Sequence, residues 1–412
     1  MEIGALPAFA DARRIILDHV APLGQERTSL SAAVGRVLAE DVTAPWDMPQ
    51  WDNSAMDGYA IRSADLVGES AVAGLIVTGY LPAGVAASGA LEAGTAIRIM
   101  TGAPIPVGAD AVVPIEDAEE RGSRVFFGRI PDPGDHVRRR AGDIRAGETV
   151  LIAGTALGPS EISLLAALGR GGVAVFRRPR VAIVSTGDEL IEAGEPLLPG
   201  TIYNSNGTGL AATIRRAAAE PVVLPIARDE RAALRARLED GLRSDALVTT
   251  AGVSMGDRDL VRACLLDLGV REVFWKVDIQ PGRPTTFGVS GTRPVFALPG
   301  NPVAALLTGE LFVRPALRAM MGHARPVEPA WQVRLADEVT PRRDRVTLLR
   351  VGLERRGTEI IARSAGHQAT GFLRTMLGAD AVALIPAGEA ALPAGSVVDA
   401  HLLRDGGDIG GT

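Results

Sequence analysis

The chain has 412 residues, a net charge of −6 at pH 7 and a sequence pI near 5.6. The length suggests two to four domains, and 47% apolar with 22% charged residues is the balance of a globular protein. The acidic composition argues against a nucleic-acid-binding protein, which would carry a basic surface. It leaves an anionic ligand open, because local arginines and backbone amides can capture one.

Cysteine use and hydropathy indicate the cellular location. The N-terminus lacks the basic region and the long apolar core of a signal peptide. No run approaches the roughly 18 apolar residues that cross a membrane. Cys264 is the only cysteine, so no intrachain disulfide can form, and its apolar neighbours predict a core position rather than a nucleophile. We expect a cytoplasmic protein without a membrane or nucleic-acid partner.

Three helices are predicted in the first half of the chain. Apolar residues at helical spacing predict one helix over residues 8–20 and another over 29–39, with Ser29 or Ser31 as the N-cap of the second. A further helix is predicted over 158–169.

Between these helices the composition changes. Residues 46–144 are rich in glycine and proline and contain short apolar runs, which predicts an inserted β domain. We therefore predict that residues 1–45 and 145–178 form one discontinuous helical domain, which would suit a dimer interface.

The second half of the chain predicts two more domains. Over residues 179–326, helical segments alternate with apolar runs at 181–184, 246–250 and 295–298, which are typical of strands buried on both faces. This rhythm predicts a doubly wound α/β domain with a parallel sheet, whose ligands bind beyond the carboxyl ends of the strands. Residues 327–412 show only strands and turns, which predicts a C-terminal small β-barrel.

The loop after the first strand of the α/β domain combines hydroxyls with acids. Ser185 and Thr186 offer hydroxyls, Gly187 allows close backbone approach, and Asp188 and Glu189 offer oxygens that could hold Mg²⁺. A solvated turn with a helix-capping acid is the alternative.

Later loops of the same domain suit an anion. The segment 251–259 (AGVSMGDRD) precedes a helix and presents N–H groups and the positive end of the helix dipole. It is not a P-loop, because the G-x-x-x-x-G-K-[ST] pattern is absent. In Pro299–Pro302, Asn301 can cap the next helix and Gly300 allows close ligand approach, although a purely structural turn explains this motif equally well. An N-cap role explains Asp229 about as well as a functional one.

Lysine use singles out one position. Of 43 Lys and Arg residues, only Lys276 is a lysine. An ammonium and a guanidinium are different chemical groups, so a retained lysine predicts a need for a compact cation, with chance survival as the alternative. Lys276 precedes a Pro-Gly turn in the domain where the other loops converge, and Arg283 could add a bidentate phosphate contact.

Eight motifs together resemble the molybdopterin molybdenumtransferase family, known as MoeA in bacteria and as the gephyrin E domain in animals. In chain order they are DNSAMDGYAIR (52–62), IRIMTGAPIPVGADAVVP (97–114), RRRAGDI (138–144), VAIVSTGDEL (181–190), AGVSMGDRD (251–259), FWKVDIQPGRP (274–284), LPGNPVAA (298–305) and GHQ (366–368). Each motif is weak alone, but the set in this order is specific and covers the chain from about residue 35 to 370.

The resemblance implies a fold and an activity. The α/β domain would be a MogA-like molybdopterin-binding domain within a four-domain subunit of an elongated homodimer. Such enzymes insert molybdate into adenylylated molybdopterin with release of AMP, and they require Mg²⁺. The active site would lie between the α/β domain of one subunit and the inserted β domain of the other. A molybdopterin adenylyltransferase is an expected partner.

The resemblance also assigns roles to residues of this chain. Catalytic roles fall on Asp57, Thr101, Glu189, Asp229, Asp259 and Lys276. Substrate binding falls on Arg138, Asp143, Ser185, Thr186, Gly187, Gly252, Val253, Ser254, Gly256, Arg283, Pro299, Gly300 and Asn301. Magnesium ligands would be drawn from Asp188, Glu189, Asp229 and Asp259. Structural alternatives stay open for Asp57, which could fix the turn before Gly58, and for Thr101, which could cap local backbone.

Four places depart from the family pattern. Gln280 stands where a lysine is usual, which removes a positive charge near the anion, and Arg283 often corresponds to a second lysine. Ala251 stands where glycine is common, and an alanine there is expected to have φ below zero unless it is strained. Ala369-Thr370-Gly371 replaces the Gly-Ser that usually follows the GHQ motif.

Two other functions fit parts of the sequence. The α/β domain also resembles molybdopterin adenylyltransferases, but those are usually single small domains. A non-catalytic scaffold of the gephyrin type is the second alternative, and the intact acidic loops argue against it.

Overall fold

In a computed structural model of the chain, residues 6–66, 73–86, 89–252 and 260–404 are described. The chain divides into two compact units. The larger unit comprises Met1–Ala39, Ala153–Ile162 and Gly172–Thr412, and the smaller unit comprises Glu40–Ile152 and Ser163–Gly171. The four predicted domain boundaries stay a prediction. Within the described ranges, no helix is both long and apolar enough to cross a membrane.

The α/β part of the larger unit is built on a six-stranded sheet. In spatial order its strands are Glu220–Val223, Arg180–Ser185, Ala246–Thr250, Arg293–Leu298, Thr286–Ser290 and Arg271–Phe274. The first four are parallel, as predicted. The last two were not predicted, and Thr286–Ser290 runs antiparallel to both of its neighbours. The connection from Ser290 to Arg293 is only two residues long, which permits a hairpin but no parallel crossover.

Helices cover both faces of this sheet. Because successive strand residues point to opposite faces, Val181 and Ile183 belong to one apolar core while Ala182 and Val184 belong to a second. Cys264 lies in the second core with 1% exposure, which confirms its predicted position, and burial raises the pKa of its thiol. The helices of the larger unit are Phe9–Asp18, Leu30–Ala33, Ser205–Arg216, Arg231–Gly241, Leu260–Asp267, Pro302–Thr308 and Arg314–Met320, with a π-helical turn at Gly309–Val313.

The C-terminal strands close into a five-stranded barrel, as predicted. Val346–Arg356 pairs with Glu359–Ser364 on one side and with Ala381–Ile385 on the other, and Trp331–Leu335 and Val397–Leu402 complete the ring. Alternate residues of these strands form one apolar core. The short strand Ile279–Gln280 pairs with the start of Val346–Arg356, so Gln280 lies beside the barrel. A one-turn helix, Arg374–Leu377, precedes the fourth strand.

The smaller unit has the predicted β character. Its six-stranded sheet has the spatial order Ala111–Pro114, Gly58–Ile61, Thr95–Ile99, Leu75–Leu81, Arg124–Phe127 and Ala118–Arg121. The unit also contains two separate two-stranded sheets, formed by Asn53–Ser54 with Val137–Arg138 and by Val42–Thr43 with Thr149–Leu151. The core contains Tyr59, Ile61, Leu75, Val113 and Val125.

The helix predicted over 29–39 is wrong in length. It is a single turn, Leu30–Ala33, in which the hydroxyl of Ser29 accepts a hydrogen bond from the backbone N–H of Ala32 at 3.4 Å. Val34 leaves the helical conformation, and Gly35 has a φ of +74°, which glycine adopts without strain. The preceding strand Gln25–Ser29 pairs with Gly172–Phe176, so this part of the chain is less helical than predicted. The helices predicted over 8–20 and 158–169 are observed as Phe9–Asp18 and Pro159–Ala167.

Candidate functional site

A cleft of about 480 Å³ opens at the carboxyl ends of the parallel strands in the larger unit. Its lining includes Thr250, the last residue of a central strand, and residues that follow the neighbouring strands. The volume is ordinary for a small-molecule site. Five of the predicted site residues line it, namely Glu189, Gly252, Pro299, Gly300 and Asn301.

The loops after the first two strands are joined by hydrogen bonds. The buried hydroxyl of Thr186 donates to Oδ1 of Asp229 at 2.9 Å, and the backbone N–H of Asp229 donates to Oδ1 of Asp188 at 3.2 Å. The helix Arg231–Gly241 has Glu230 at its N-cap position, so the alternative that Asp229 is the N-cap is wrong. The sequence predicted acids in both loops, and the structure brings two of them into contact.

The backbone conformation at position 187 favours glycine, and the Glu189 side chain lies against it. Gly187 has a φ of +149°, and a Cβ placed on it would lie 2.5 Å from Oε2 of Glu189. The Glu189 carboxylate therefore folds back over the glycine at the edge of the cleft. Ser185 is 2% exposed and lies beneath this loop.

The acids of these loops fit magnesium by chemistry, although they form no assembled metal cluster in the described part of the chain. No group of three or more His, Cys, Asp or Glu side chains positioned for a metal occurs among the described residues. Asp259 lies outside those residues, as do three further predicted site residues, Val253, Ser254 and Gly256. Carboxylate oxygens such as those of Asp188, Glu189 and Asp229 are the ligands that Mg²⁺ prefers.

Ala251 has the backbone conformation that a glycine would occupy. Its φ is +71°, so Ala251 adopts the strained conformation that was left open beside a negative φ. The physical reason is crowding at the end of the central strand. A Cβ on Gly252 would lie 2.4 Å from Cγ2 of Val261, and a Cβ on Gly300 would lie 3.1 Å from the Cβ of Ala251. The alanine accepts strain because the two strand-end loops approach each other this closely.

The Pro299–Pro302 turn starts the helix Pro302–Thr308 as predicted, with one difference. Asn301 occupies the N-cap position and Pro302 the first turn, but the Asn301 side chain makes no capping hydrogen bond. Side-chain capping by Asn301 is therefore wrong, and Asn301 instead lines the cleft.

Asn206 is a cleft residue that the sequence analysis missed. Its Nδ2 donates to Oγ1 of Thr250 at 2.9 Å and to the carbonyl of Gly300 at 2.8 Å, while the Thr250 hydroxyl donates to the carbonyl of Pro299 at 3.2 Å. Its Oδ1 is buried and has no hydrogen-bond partner among the described residues. Asn206 lies in the first turn of a helix. An asparagine at such a position is common for local reasons and indicates only that a helix begins there. The sequence therefore carried no sign of this bridge.

Neither predicted cation lines the described part of the cleft. Lys276 is half-buried, with Nζ 3.8 Å from the centre of the Trp275 ring. Nη2 of Arg283 lies 3.9 Å from Oδ1 of Asp278. Pro284, the residue after Arg283, does line the cleft.

The GHQ motif of the barrel is fixed by Arg350, which the sequence analysis also missed. Arg350 has 0% exposure, and its Nη2 donates to the carbonyls of His367 and Ala369 at 3.1 and 3.3 Å. The side chain of Gln368 accepts from the Arg350 N–H at 3.0 Å. A fully buried arginine on a strand that reads as alternating apolar and polar carries no distinguishing signal in the sequence.

In the smaller unit the structure brings Asp57 and Thr101 together. The backbone N–H and the hydroxyl of Thr101 both donate to Oδ1 of Asp57 at 2.7 Å, and these bonds hold the pKa of that carboxyl below its usual value. The strand Val137–Arg138 places Arg138 opposite Asn53, four residues before Asp57. Asp143 is exposed, and its backbone N–H donates to the carbonyl of Met48.

Three family models match successive parts of the chain. They are the MoeA N-terminal region (domains I and II) at residues 8–169, a probable molybdopterin binding domain at 182–319 and the MoeA C-terminal region (domain IV) at 332–403.

Individual relatives match over nearly the whole length. A molybdopterin molybdenumtransferase of Nostoc sp. is 38% identical over 405 residues, which is 95% of this chain and 93% of that protein. Molybdopterin molybdenumtransferase 2 of Mycobacterium tuberculosis is 38% identical over 384 residues, 91% of this chain and 94% of the relative. The crystal structure of a molybdopterin biosynthesis MoeA protein from Pyrococcus horikoshii superposes with a TM-score of 0.84 at 30% identity and covers 97% of this chain and 100% of its own. The chain therefore belongs to the molybdopterin molybdenumtransferase (MoeA) family.

Proposed function

We propose that this chain catalyses the molybdopterin molybdenumtransferase reaction of molybdenum cofactor biosynthesis, in which molybdate is inserted into adenylylated molybdopterin and AMP is released. The observation that carries the proposal is the cleft where Glu189, Gly252 and Gly300, from three different strand-end loops, line one volume. The chain belongs to the family over nearly its whole length, and the reaction proposed is the one for which that family is named.

The cleft lining suits a nucleotide-like substrate held by backbone and amide groups. Among the described residues that line it, Glu189 is the only charged side chain. Backbone at Gly252 and Gly300 can approach a phosphate closely, because neither residue has a Cβ. The start of the helix Pro302–Thr308 adds backbone N–H groups at the same edge. Lys276 and Arg283 would neutralise the phosphate or molybdate from the side of Pro284.

Magnesium would be held by oxygens of Asp188, Glu189, Asp229 and Asp259. When bound, the ion would neutralise charge on the phosphoanhydride that is cleaved. The chain's own contribution is orientation, because the Thr186 hydroxyl holds Oδ1 of Asp229 and the Asp229 N–H holds Oδ1 of Asp188.

We further propose that the active form is a homodimer in which Asp57, Thr101, Arg138 and Asp143 act on substrate bound by another copy. The support is the family resemblance and the geometry of the Asp57 carboxylate. Oδ1 is fixed by two hydrogen bonds from Thr101, while Oδ2 accepts none from the described residues. A molybdopterin adenylyltransferase is the proposed partner, because its product is this enzyme's substrate. The single cysteine favours a reducing compartment, and we propose the cytoplasm.

The adenylyltransferase alternative is not favoured. The relatives that cover over nine-tenths of this chain include the regions on both sides of the α/β domain. A single-domain adenylyltransferase would leave those regions unmatched.

The test is incubation of the chain with adenylylated molybdopterin, Mg²⁺ and molybdate. We expect AMP release that depends on molybdate, and we expect Glu189→Gln to abolish it while circular dichroism and the melting temperature stay unchanged. Glu195→Gln, an exposed acid of the same loop, is the matched control. Unaltered molybdenum transfer in Glu189→Gln would contradict the proposed catalytic role of Glu189. ATP consumption in a parallel incubation with molybdopterin, Mg²⁺ and ATP would favour the adenylyltransferase, and no reaction in either incubation would favour the scaffold.

A further inference from the structure

The larger unit has a second pocket, of about 280 Å³, that the proposed reaction does not use. It lies among the helices Phe9–Asp18 and Arg314–Met320, the segment before the barrel and the last barrel strand. The charged and titratable side chains that line it are Arg13, Glu310, Arg314, Arg318, Glu328 and His401.

Positive charge is in excess in this pocket. Three guanidinium groups face two carboxylates, which leaves one positive charge if His401 is neutral. Arg216, which pairs with Glu310 at 2.5 Å, adds a further positive charge beside the lining.

Both carboxylates are already engaged by other arginines. Glu328 accepts from Nη1 and Nη2 of Arg314 at 3.1 and 2.5 Å and lies 3.4 Å from Arg318. Glu310 is shared between Arg314 and Arg216. Neither is within ion-pair distance of Arg13.

Among the described residues, no carboxylate pairs with Arg13, which is therefore the cation of the pocket without a counter-ion there. Its Nη1 lies 3.1 Å from Nε2 of His401, and its guanidinium stacks over the Phe9 ring at 5.0 Å. Because an arginine only donates hydrogen bonds, Nε2 of His401 is the acceptor. The proton of that imidazole is therefore on Nδ1, and the ring is neutral. Burial and the charge of Arg13 lower the pKa of His401 to about 4, in agreement with a neutral ring.

We propose that this pocket is an anion site, separate from the cleft, in which a compact oxyanion, carboxylate or phosphate, pairs with Arg13. A partly buried cation without a counter-ion is unfavourable, and an anion in the adjoining space removes that penalty. The planar guanidinium fork matches two oxygens on one carbon or phosphorus atom. Phe9 and His401 hold the fork in place, so little side-chain freedom is lost on binding. The site does not depend on the transferase activity.

Titration calorimetry of the full chain with inorganic phosphate and, separately, with acetate tests the proposal at constant ionic strength. We expect saturable binding of at least one of them, weakened at least tenfold in Arg13→Gln. Arg14→Gln is the matched control, because Arg14 is on the same helix but is exposed and paired with Asp11 and Asp18. Its affinity should change less than twofold. Phosphate binding alone indicates a phosphate site, and acetate binding alone indicates a carboxylate site.

A second variant separates this pocket from the cleft. Lys276→Gln should keep the anion affinity of the wild-type chain, whether or not it retains transferase activity. Loss of binding in Lys276→Gln with retention in Arg13→Gln would place the anion in the cleft and overturn the proposal. The proposal would also be overturned if neither phosphate nor acetate bound saturably beyond the signal of a chloride titration at the same ionic strength. If Arg13→Gln does not fold, Arg13→Lys keeps the charge without the fork and should still weaken binding.

Discussion

Thr101 donates two hydrogen bonds to the same oxygen of Asp57, one from its backbone N–H and one from its hydroxyl, each 2.7 Å long. The two residues are 44 positions apart and meet because the strand Gly58–Ile61 pairs with Thr95–Ile99. The arrangement keeps the Asp57 carboxyl ionised, since both bonds are strongest to the charged form.

Removal of the Thr101 hydroxyl is therefore expected to raise the pKa of Asp57. In Thr101→Val the side-chain bond, the first cause of the lowered pKa, is lost while the backbone bond remains. The acidic limit of transferase activity should move to higher pH, and activity should fall by about tenfold. Titration of the carboxyl by NMR checks the first effect and a pH–rate profile the second. Thr101→Ser should behave as wild type, and an unchanged pKa in Thr101→Val contradicts the argument.

Ala251→Gly is expected to stabilise the chain. Its φ of +71° costs an alanine roughly 1 kcal/mol, and glycine avoids this cost but loses more chain entropy on folding. We expect a net gain of about 0.5 kcal/mol in the free energy of unfolding by urea titration. Ala212→Gly, in the helix Ser205–Arg216, is the control and should destabilise by about 1 kcal/mol. Equal losses in both variants would show that Ala251 is not strained.

Asn206→Ala is expected to loosen the Pro299–Gly300 turn. Loss of the Nδ2 bonds to Thr250 and Gly300 removes the Asn206 bridge between the two strand ends and leaves only the bond from the Thr250 hydroxyl to the Pro299 carbonyl. We expect faster hydrogen exchange at residues 299–301 and a KM about tenfold higher, with a smaller change in kcat. Thr213→Ala is the control, because Thr213 is on the same helix, its hydroxyl donates to the Gly209 carbonyl within that helix, and it does not line the cleft. If both variants raise KM equally, the effect belongs to the helix and not to the bridge.

The lone lysine can be tested by a substitution that keeps its charge. If Lys276 is retained for its compact ammonium, Lys276→Arg should lose at least about tenfold in kcat/KM for molybdate, because a guanidinium has a different shape and hydration. Arg262→Lys alters the other cation on the Trp275 ring and should have a smaller effect. Full activity of Lys276→Arg would mean that the lysine survived by chance.

Two half-buried histidines should make the fold sensitive to mild acid. Burial, the largest cause, lowers the pKa of His323 and of His401 to about 4, whereas an unfolded histidine titrates near 6.5. Between about pH 6.5 and pH 4 the unfolded chain binds more protons, so stability falls as the pH falls through this window. The melting temperature should drop less over this range in a His323→Gln, His401→Gln double variant. An equal drop in that variant would assign the acid sensitivity to the carboxylates.

Much of the fold follows from local patterns in the sequence. The apolar run at Val181–Val184 identifies a strand buried on both faces, and the five strand-like segments separated by turns after residue 327 identify the barrel strands. The spacing of the loop motifs also identified the family and five residues of the cleft. These features are readable because side-chain burial repeats along a strand or helix with a fixed period.

Other features depend on segments that are distant in the sequence. The antiparallel strand Thr286–Ser290, the Asn206 bridge, the positive φ of Ala251 and the early end of the helix at Ala33 all escaped prediction. Each arises where two parts of the chain approach closely or compete for the same hydrogen bonds. Residue type and spacing determined which loops carry the chemistry. Tertiary packing alone decided which atoms meet, because distances between loops are set by how strands pair and not by the residues within each loop.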